Sequence, residues 1–135
     1  MKQERKAVLR VILLSIQNNM LSEAISRCLR SSGDTKVTII SPDRVPATTT
    51  ETLIQRPQIL LMEVSFGPAS LEERLKTARE VRRKLPSCRI ALLCDERSSP
   101  ELARGVTAAK QQQLVDAFFY SSVSLDYLRD ALSAI

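Results

Sequence analysis

The 135-residue chain has no histidine, no tryptophan and only three glycines, and aromatic residues make up 4% of it. Without histidine it lacks the commonest general base near neutral pH and the commonest zinc ligand. Gly33, Gly67 and Gly105 are too scattered to form the glycine-rich loop that cradles nucleotide phosphates, so no nucleotide or other cofactor is expected. The aromatics are too sparse for a base-stacking platform. No apolar run approaches the roughly 20 residues that cross a bilayer. The charged segment 1–6 is followed by no secretory apolar core, so neither a membrane partner nor a signal peptide is expected. Three cysteines, Cys28, Cys88 and Cys94, are odd in number and without metal-ligand spacing; they fit a reducing cytoplasm better than a disulfide framework.

What is present is ordinary for one globular domain. Apolar residues make up 44% of the chain and charged residues 26%, with a formal net charge of +5. The basic residues are spread along the sequence, and Arg82-Arg83-Lys84 is the compact cluster. They read as solvated helix faces, and no direct nucleic-acid binding by this domain is expected.

Five apolar runs recur at intervals: Val11 to Leu14, Val37 to Ile40, Ile59 to Val64, Ile90 to Cys94 and Ala117 to Tyr120. Most are continuous rather than alternating, as in parallel strands covered on both faces. Helical patterns separate them. Met20, Leu21, Ala24, Ile25, Cys28 and Leu29 form one stripe, with Gly33 as a stop. Ser70 to Glu73 resembles a capping box ahead of Leu71, Leu75, Ala78, Val81 and Leu85, and Pro86 ends that helix. Ser99 caps a helix carrying Leu102 and Val106, and Ser124 caps one carrying Leu128, Ala131 and Leu132. Three consecutive threonines weaken the helix predicted within Pro42 to Gln55. Five strand–helix repeats predict a doubly wound α/β sandwich of three layers, over residues 9–135 after an N-terminal extension of residues 1–8. The chain stops inside a helical pattern at Ile135, as a domain cut from a longer protein would.

Glu63 is the most informative residue. The run Ile59-Leu60-Leu61-Met62 ends abruptly in its carboxylate, and Gly67-Pro68 follows shortly after. A parallel strand presents an acid at its C-terminal edge in this way, where open α/β sheets keep their sites. The segment Arg56 to Ser65 resembles the central strand of response-regulator receiver domains, which ends in a phospho-accepting aspartate. Leu85 to Leu93 is similar to that family's turn into the fourth strand, and Asp116 to Ser124 to its fifth strand and following turn. The resemblance implies a five-stranded parallel sheet in the flavodoxin-like order 2-1-3-4-5.

The resemblance also implies a chemistry whose parts are altered here. Phosphoryl transfer to aspartate needs Mg²⁺, which wants carboxylate and water oxygens. The family's acidic pair after the first strand is matched by Ser15, Ile16 and Gln17, none of them acidic. Its phosphate-binding Ser or Thr is matched by Cys94, its lysine by Ser121, and its aspartate by Glu63. The glutamate carboxylate lies about 1.5 Å further from the backbone, and a misplacement of that size costs orders of magnitude in rate. No metal is therefore expected, and the domain is expected to be non-phosphorylatable and not an enzyme. Glu63 has three readings: a fixed mimic of phosphoaspartate, a vestigial acid hydrogen-bonded to backbone or to Ser121 and Ser122, or a ligand for something else. Phe118 stands at the family's switching aromatic and reads more simply as core.

By the same resemblance the domain serves a bacterial transcription regulator as a homodimerising module, with a DNA-binding output domain outside this chain. Members of that family dimerise through the first and last helices, or through the fourth helix, fifth strand and last helix; in this sequence the second face would be Leu102, Val106, Tyr120 and Tyr127. The alternatives are a receiver that still accepts phosphate on Glu63 or elsewhere, and a small-ligand sensor with an apolar pocket at the strand C-termini.

Overall fold

The computed structural model describes residues 10–31, 33–65, 67–95, 97 and 100–135. The N-terminal extension and the Ser99 cap lie outside the described residues. Five strands, β1 (Arg10–Ser15), β2 (Thr35–Ile40), β3 (Ile59–Val64), β4 (Arg89–Cys94) and β5 (Ala117–Tyr120), alternate with five helices. These are α1 (Asn19–Arg30), α2 (Thr48–Gln55), α3 (Leu71–Lys84), α4 (Pro100–Gln111) and α5 (Leu125–Ala134). All strand pairings are parallel, in the order β2-β1-β3-β4-β5. This is the predicted doubly wound sheet.

The period of two along each strand divides the core into two layers. Leu13, Leu60, Met62, Ile90 and Leu92 pack against Ala78, Val81, Val106 and Ala109 from α3 and α4. Ile12, Leu14, Leu61, Leu93 and Phe119 pack against Ile25, Leu29, Leu128 and Leu132 from α1 and α5. Helices cover both faces of the sheet, so the central strands are apolar on both faces. That is why β3 and β4 read as unbroken runs.

The caps follow their residue types. The side chains of Asn18, Ser70 and Ser124 accept hydrogen bonds from the amides of Leu21, Glu73 and Tyr127. Gly33 takes φ +82° just past α1, where its N–H donates to the Arg30 carbonyl. Gly105 lets Leu71 of α3 lie against α4, since a Cβ there would meet Leu71 Cδ2 at 2.6 Å.

Two expectations are corrected. Met20 does not belong to the buried stripe of α1; it is 84% exposed, and the inward face is Ser22, Ile25, Ser26 and Leu29. The segment from Pro42 is a 3₁₀ turn (Pro42–Ala47) running directly into α2. Its threonines are no weakness, because Thr48 and Thr52 are buried and hydrogen-bonded.

Candidate functional site

The C-terminal ends of β1, β3, β4 and β5 form one edge, and Glu63, Ser15, Cys94 and Ser121 are all brought to it. Glu63 Oε1 accepts hydrogen bonds from the backbone N–H of Gln17 at 2.7 Å and of Asn18 at 3.3 Å. These amides stand at the entrance to α1, whose first turn carries no acid of its own. The carboxylate therefore supplies the negative charge that a helix N-terminus favours. Gln17 is fixed in turn, because its side-chain carbonyl accepts from Ser65 Oγ at 2.7 Å.

The shallow cleft beside Glu63 has a volume of about 270 Å³ and is lined by Asn18, Leu21, Leu93, Cys94, Asp95, Arg97 and Ser121. Most of that lining is polar, unlike the apolar pocket expected of a small-ligand sensor. Cys94 is buried at the end of β4, and Ser121 is exposed. The Ser121 amide donates to the Cys94 carbonyl.

The dominant group at this edge is Arg74, which sequence reasoning missed. It projects from α3 and is 1% exposed. Its Nε donates to the Glu63 carbonyl at 2.8 Å, and its Nη2 to the Ser15 carbonyl at 2.8 Å. Its Nη1 reaches Ser15 Oγ at 3.0 Å and Thr48 Oγ1 at 3.4 Å. Ser15 Oγ and Thr48 Oγ1 are themselves 2.8 Å apart. One planar guanidinium thus ties together the ends of β1 and β3 and the start of α2, a task that suits its fixed fork of donors. Burial lowers the Arg74 pKa to about 10, and the nearby negative charge of Glu63 works against that shift. Arg74 remains a cation at neutral pH. The two helical turns around it are crowded with charges, which hide it in the sequence. The available signal was its position, three residues after Leu71 and seven before Val81, on the inward face of α3.

At the place of the family's acidic pair stand side chains that carry no negative charge. Ser15 is fully buried in the Arg74 network, and Ile16 is fully buried in the α1/α5 layer. Mg²⁺ requires anionic or water oxygens in an octahedron. The turn of Ser15, Ile16 and Gln17 beside a buried guanidinium supplies no carboxylate, and among the described residues Glu63 and Asp95 are the acids lining the cleft. These residues do not fit a magnesium ion.

Phe118 is half-buried against the α3/α4 layer, where its ring meets Tyr120 edge-on at 5.8 Å. The dimerisation face predicted from sequence is not a continuous exposed patch. Val106 is fully buried, and Leu102 and Tyr120 pack against the α3/α4 core. Tyr127 is 58% exposed and stacks edge-on with Phe119, a residue of the α1/α5 layer. Val106 is turned inward with the apolar stripe of α4, and Tyr127 is the well-exposed member of the four.

Comparison with solved structures gives the fold a precedent. The chain is similar to a DNA-binding response regulator of the LuxR family from Staphylococcus aureus, with a TM-score of 0.74 and 15% identity, covering 93% of this chain and 98% of that one. It is equally similar to the REC domain of AraT, a response regulator from Geobacillus stearothermophilus, with a TM-score of 0.74 and 16% identity over 94% and 92% of the two chains. The fold is that of response-regulator receiver domains. A member of a streptococcal family of redox sensors, described as evolved from two-component response regulators, has this receiver fold too. It shows a TM-score of 0.73 and 19% identity over 93% of this chain and 50% of that one. No family model matches the sequence, and no curated protein matches it.

Cys88 is poorly placed for redox chemistry. It is buried, and burial, with the negative charge of Asp116 added, pushes its thiol up to about 11 against the opposing pull of Arg82. At neutral pH it is a protonated, inert thiol.

Proposed function

We propose that this domain is an atypical receiver, a signalling module that works without Mg²⁺-dependent aspartyl phosphorylation. The observation that carries the reading is the Arg74 network. The end of β1 is held by a guanidinium through Ser15, whereas the family's reaction needs carboxylates there. Glu63 acts as a fixed structural anion at the entrance to α1, which favours the vestigial reading over a phosphoaspartate mimic. The S. aureus neighbour is described as DNA-binding. By analogy the present domain serves a cytoplasmic bacterial transcription regulator whose DNA-binding output domain lies outside this chain.

Homodimerisation belongs to the same reading, through α1 and α5. These helices pack on each other and carry three exposed large apolar side chains, Met20, Leu125 and Tyr127. Light scattering should give a dimer that Tyr127→Glu weakens.

The decisive experiment is incubation with acetyl phosphate and Mg²⁺, followed by intact-mass measurement. An unchanged mass is expected, together with no saturable Mg²⁺-dependent beryllofluoride binding. A gain of one phosphate would overturn the proposal in favour of a phosphate-accepting receiver.

A further inference from the structure

The opposite edge of the sheet carries a second constellation, independent of Glu63. The N-terminal ends of β4 and β5 and the C-terminal ends of α3 and α4 enclose a cleft of about 600 Å³, lined by Arg82, Arg89, Lys110, Gln111, Gln113, Val115 and Asp116. A small ligand with several polar groups fits such a space. Arg82 Nη2 lies 2.9 Å from Asp116 Oδ2, and Arg89 Nη1 lies 3.7 Å from Asp116 Oδ1. Asp116 Oδ2 also accepts from the Ile90 amide at 2.8 Å. One carboxylate therefore serves two guanidiniums and a backbone N–H. Lys110 is exposed and pairs with no acid among the described residues. Three cations face one anion, leaving a local charge of about +2.

Arg82 is partly committed, since its Nε donates to the Leu114 carbonyl at 3.3 Å. Arg82 Nη2 is buried but makes no aligned hydrogen bond, so its contact with Asp116 is an ion pair with poor directionality. The end of α4 would ordinarily repel an anion through its bare carbonyls. Here three of the last four are occupied: the amides of Gln112, Leu114 and Gln113 donate to the carbonyls of Ala108, Ala109 and Lys110. Gln113 adopts φ +62° to close this cap, where glycine is the usual choice. Glutamine there adds an amide to the cleft wall.

We propose that this cleft binds a phosphorylated small molecule, with Arg89 and Lys110 supplying the exposed charge and Arg82 the buried donor. Guanidinium and ammonium groups around a polar cavity are the chemistry that holds a phosphate dianion. The test is a titration with inorganic pyrophosphate followed by ¹⁵N NMR. Saturable shifts are expected at residues 111–116 and at Arg82 Nε, with affinity at least tenfold weaker in an R89S/K110Q double variant. The control K76Q, on an exposed part of α3, should bind as the parent does. Should the double variant fail to fold, K110E alone carries the test, because that side chain is exposed and holds nothing. Shifts that do not saturate, or a double variant that binds as well as the parent, overturn the proposal. So does a 20-base-pair DNA duplex that binds more tightly than pyrophosphate and is weakened equally by K76Q, since that is diffuse polyanion attraction.

Discussion

The two edges of the sheet use the same charges in opposite ways. At the C-terminal edge Arg74 is buried, makes no direct contact with a carboxylate oxygen, and spends its donors on two carbonyls and two hydroxyls. At the N-terminal edge Asp116 is partly exposed and collects the half-buried Arg82 and the exposed Arg89. The first arrangement is rigid, because every partner belongs to a strand end or a helix start. The second leaves excess charge facing water. The contrast separates a cation that builds the fold from cations available to a ligand.

Breaking the first arrangement should produce the largest effect. Arg74→Met removes the side-chain donor to the carbonyls of Ser15 and Glu63 and leaves the Ser15 and Thr48 hydroxyls with only each other and the Val45 carbonyl. Chemical denaturation should show a loss of roughly 3–5 kcal/mol, the usual range for removing one side of a buried polar network. Arg74→Lys should recover only part of it, because an ammonium cannot reach four partners in one plane. The sign of the pKa shift sharpens the point. Arg74 has a folded value of about 10, well below its ordinary value. The unfolded chain therefore binds more protons between those values. Keeping Arg74 charged opposes folding by roughly 3 kcal/mol below that window, and the opposition fades as pH rises through it. Its hydrogen bonds must exceed that cost.

A smaller loss is expected at the other edge. Asp116→Asn keeps an acceptor for the Ile90 amide but gives up both ion pairs. These are partly solvated, so denaturation should register about 1–2 kcal/mol, shrinking in high salt. Glu63→Gln should be milder still, at about 1 kcal/mol, because the amide oxygen still accepts from Gln17 and Asn18 and only the charge at the entrance to α1 is lost. The smallest perturbation is chemical. With its thiol near 11, Cys88 should resist iodoacetamide at pH 8, while the half-buried Cys28 reacts first. Mass spectrometry of the peptides would read the order.

Much of this was legible in the chain. The apolar runs marked all five strands, because strands covered on both faces must be apolar throughout. Ser70, Ser124 and Gly33 marked helix ends through local hydrogen bonding that needs no tertiary partner. Glu63 stood out because a carboxylate cannot be buried cheaply at the end of an apolar strand unless donors meet it there. Arg74 was hidden by its neighbours Glu72, Glu73, Lys76 and Arg79, which present the same kind of side chain to solvent. Val106 was misread because sequence periodicity gives an apolar stripe without saying whether it faces the core or a partner.

The sequence by itself determined the layered fold, since hydrophobic period and capping chemistry act over a few residues. It also determined that no acid lies between Ser15 and Asn19, at the turn after the first strand. Only the tertiary structure decided what stands there. Bringing α3 across the ends of β1 and β3 put a guanidinium 59 residues away in sequence onto Ser15. Bringing α4 beside β4 and β5 gathered scattered cations into one cleft. Charges act through space, and their neighbours along the chain do not reveal which of them will meet.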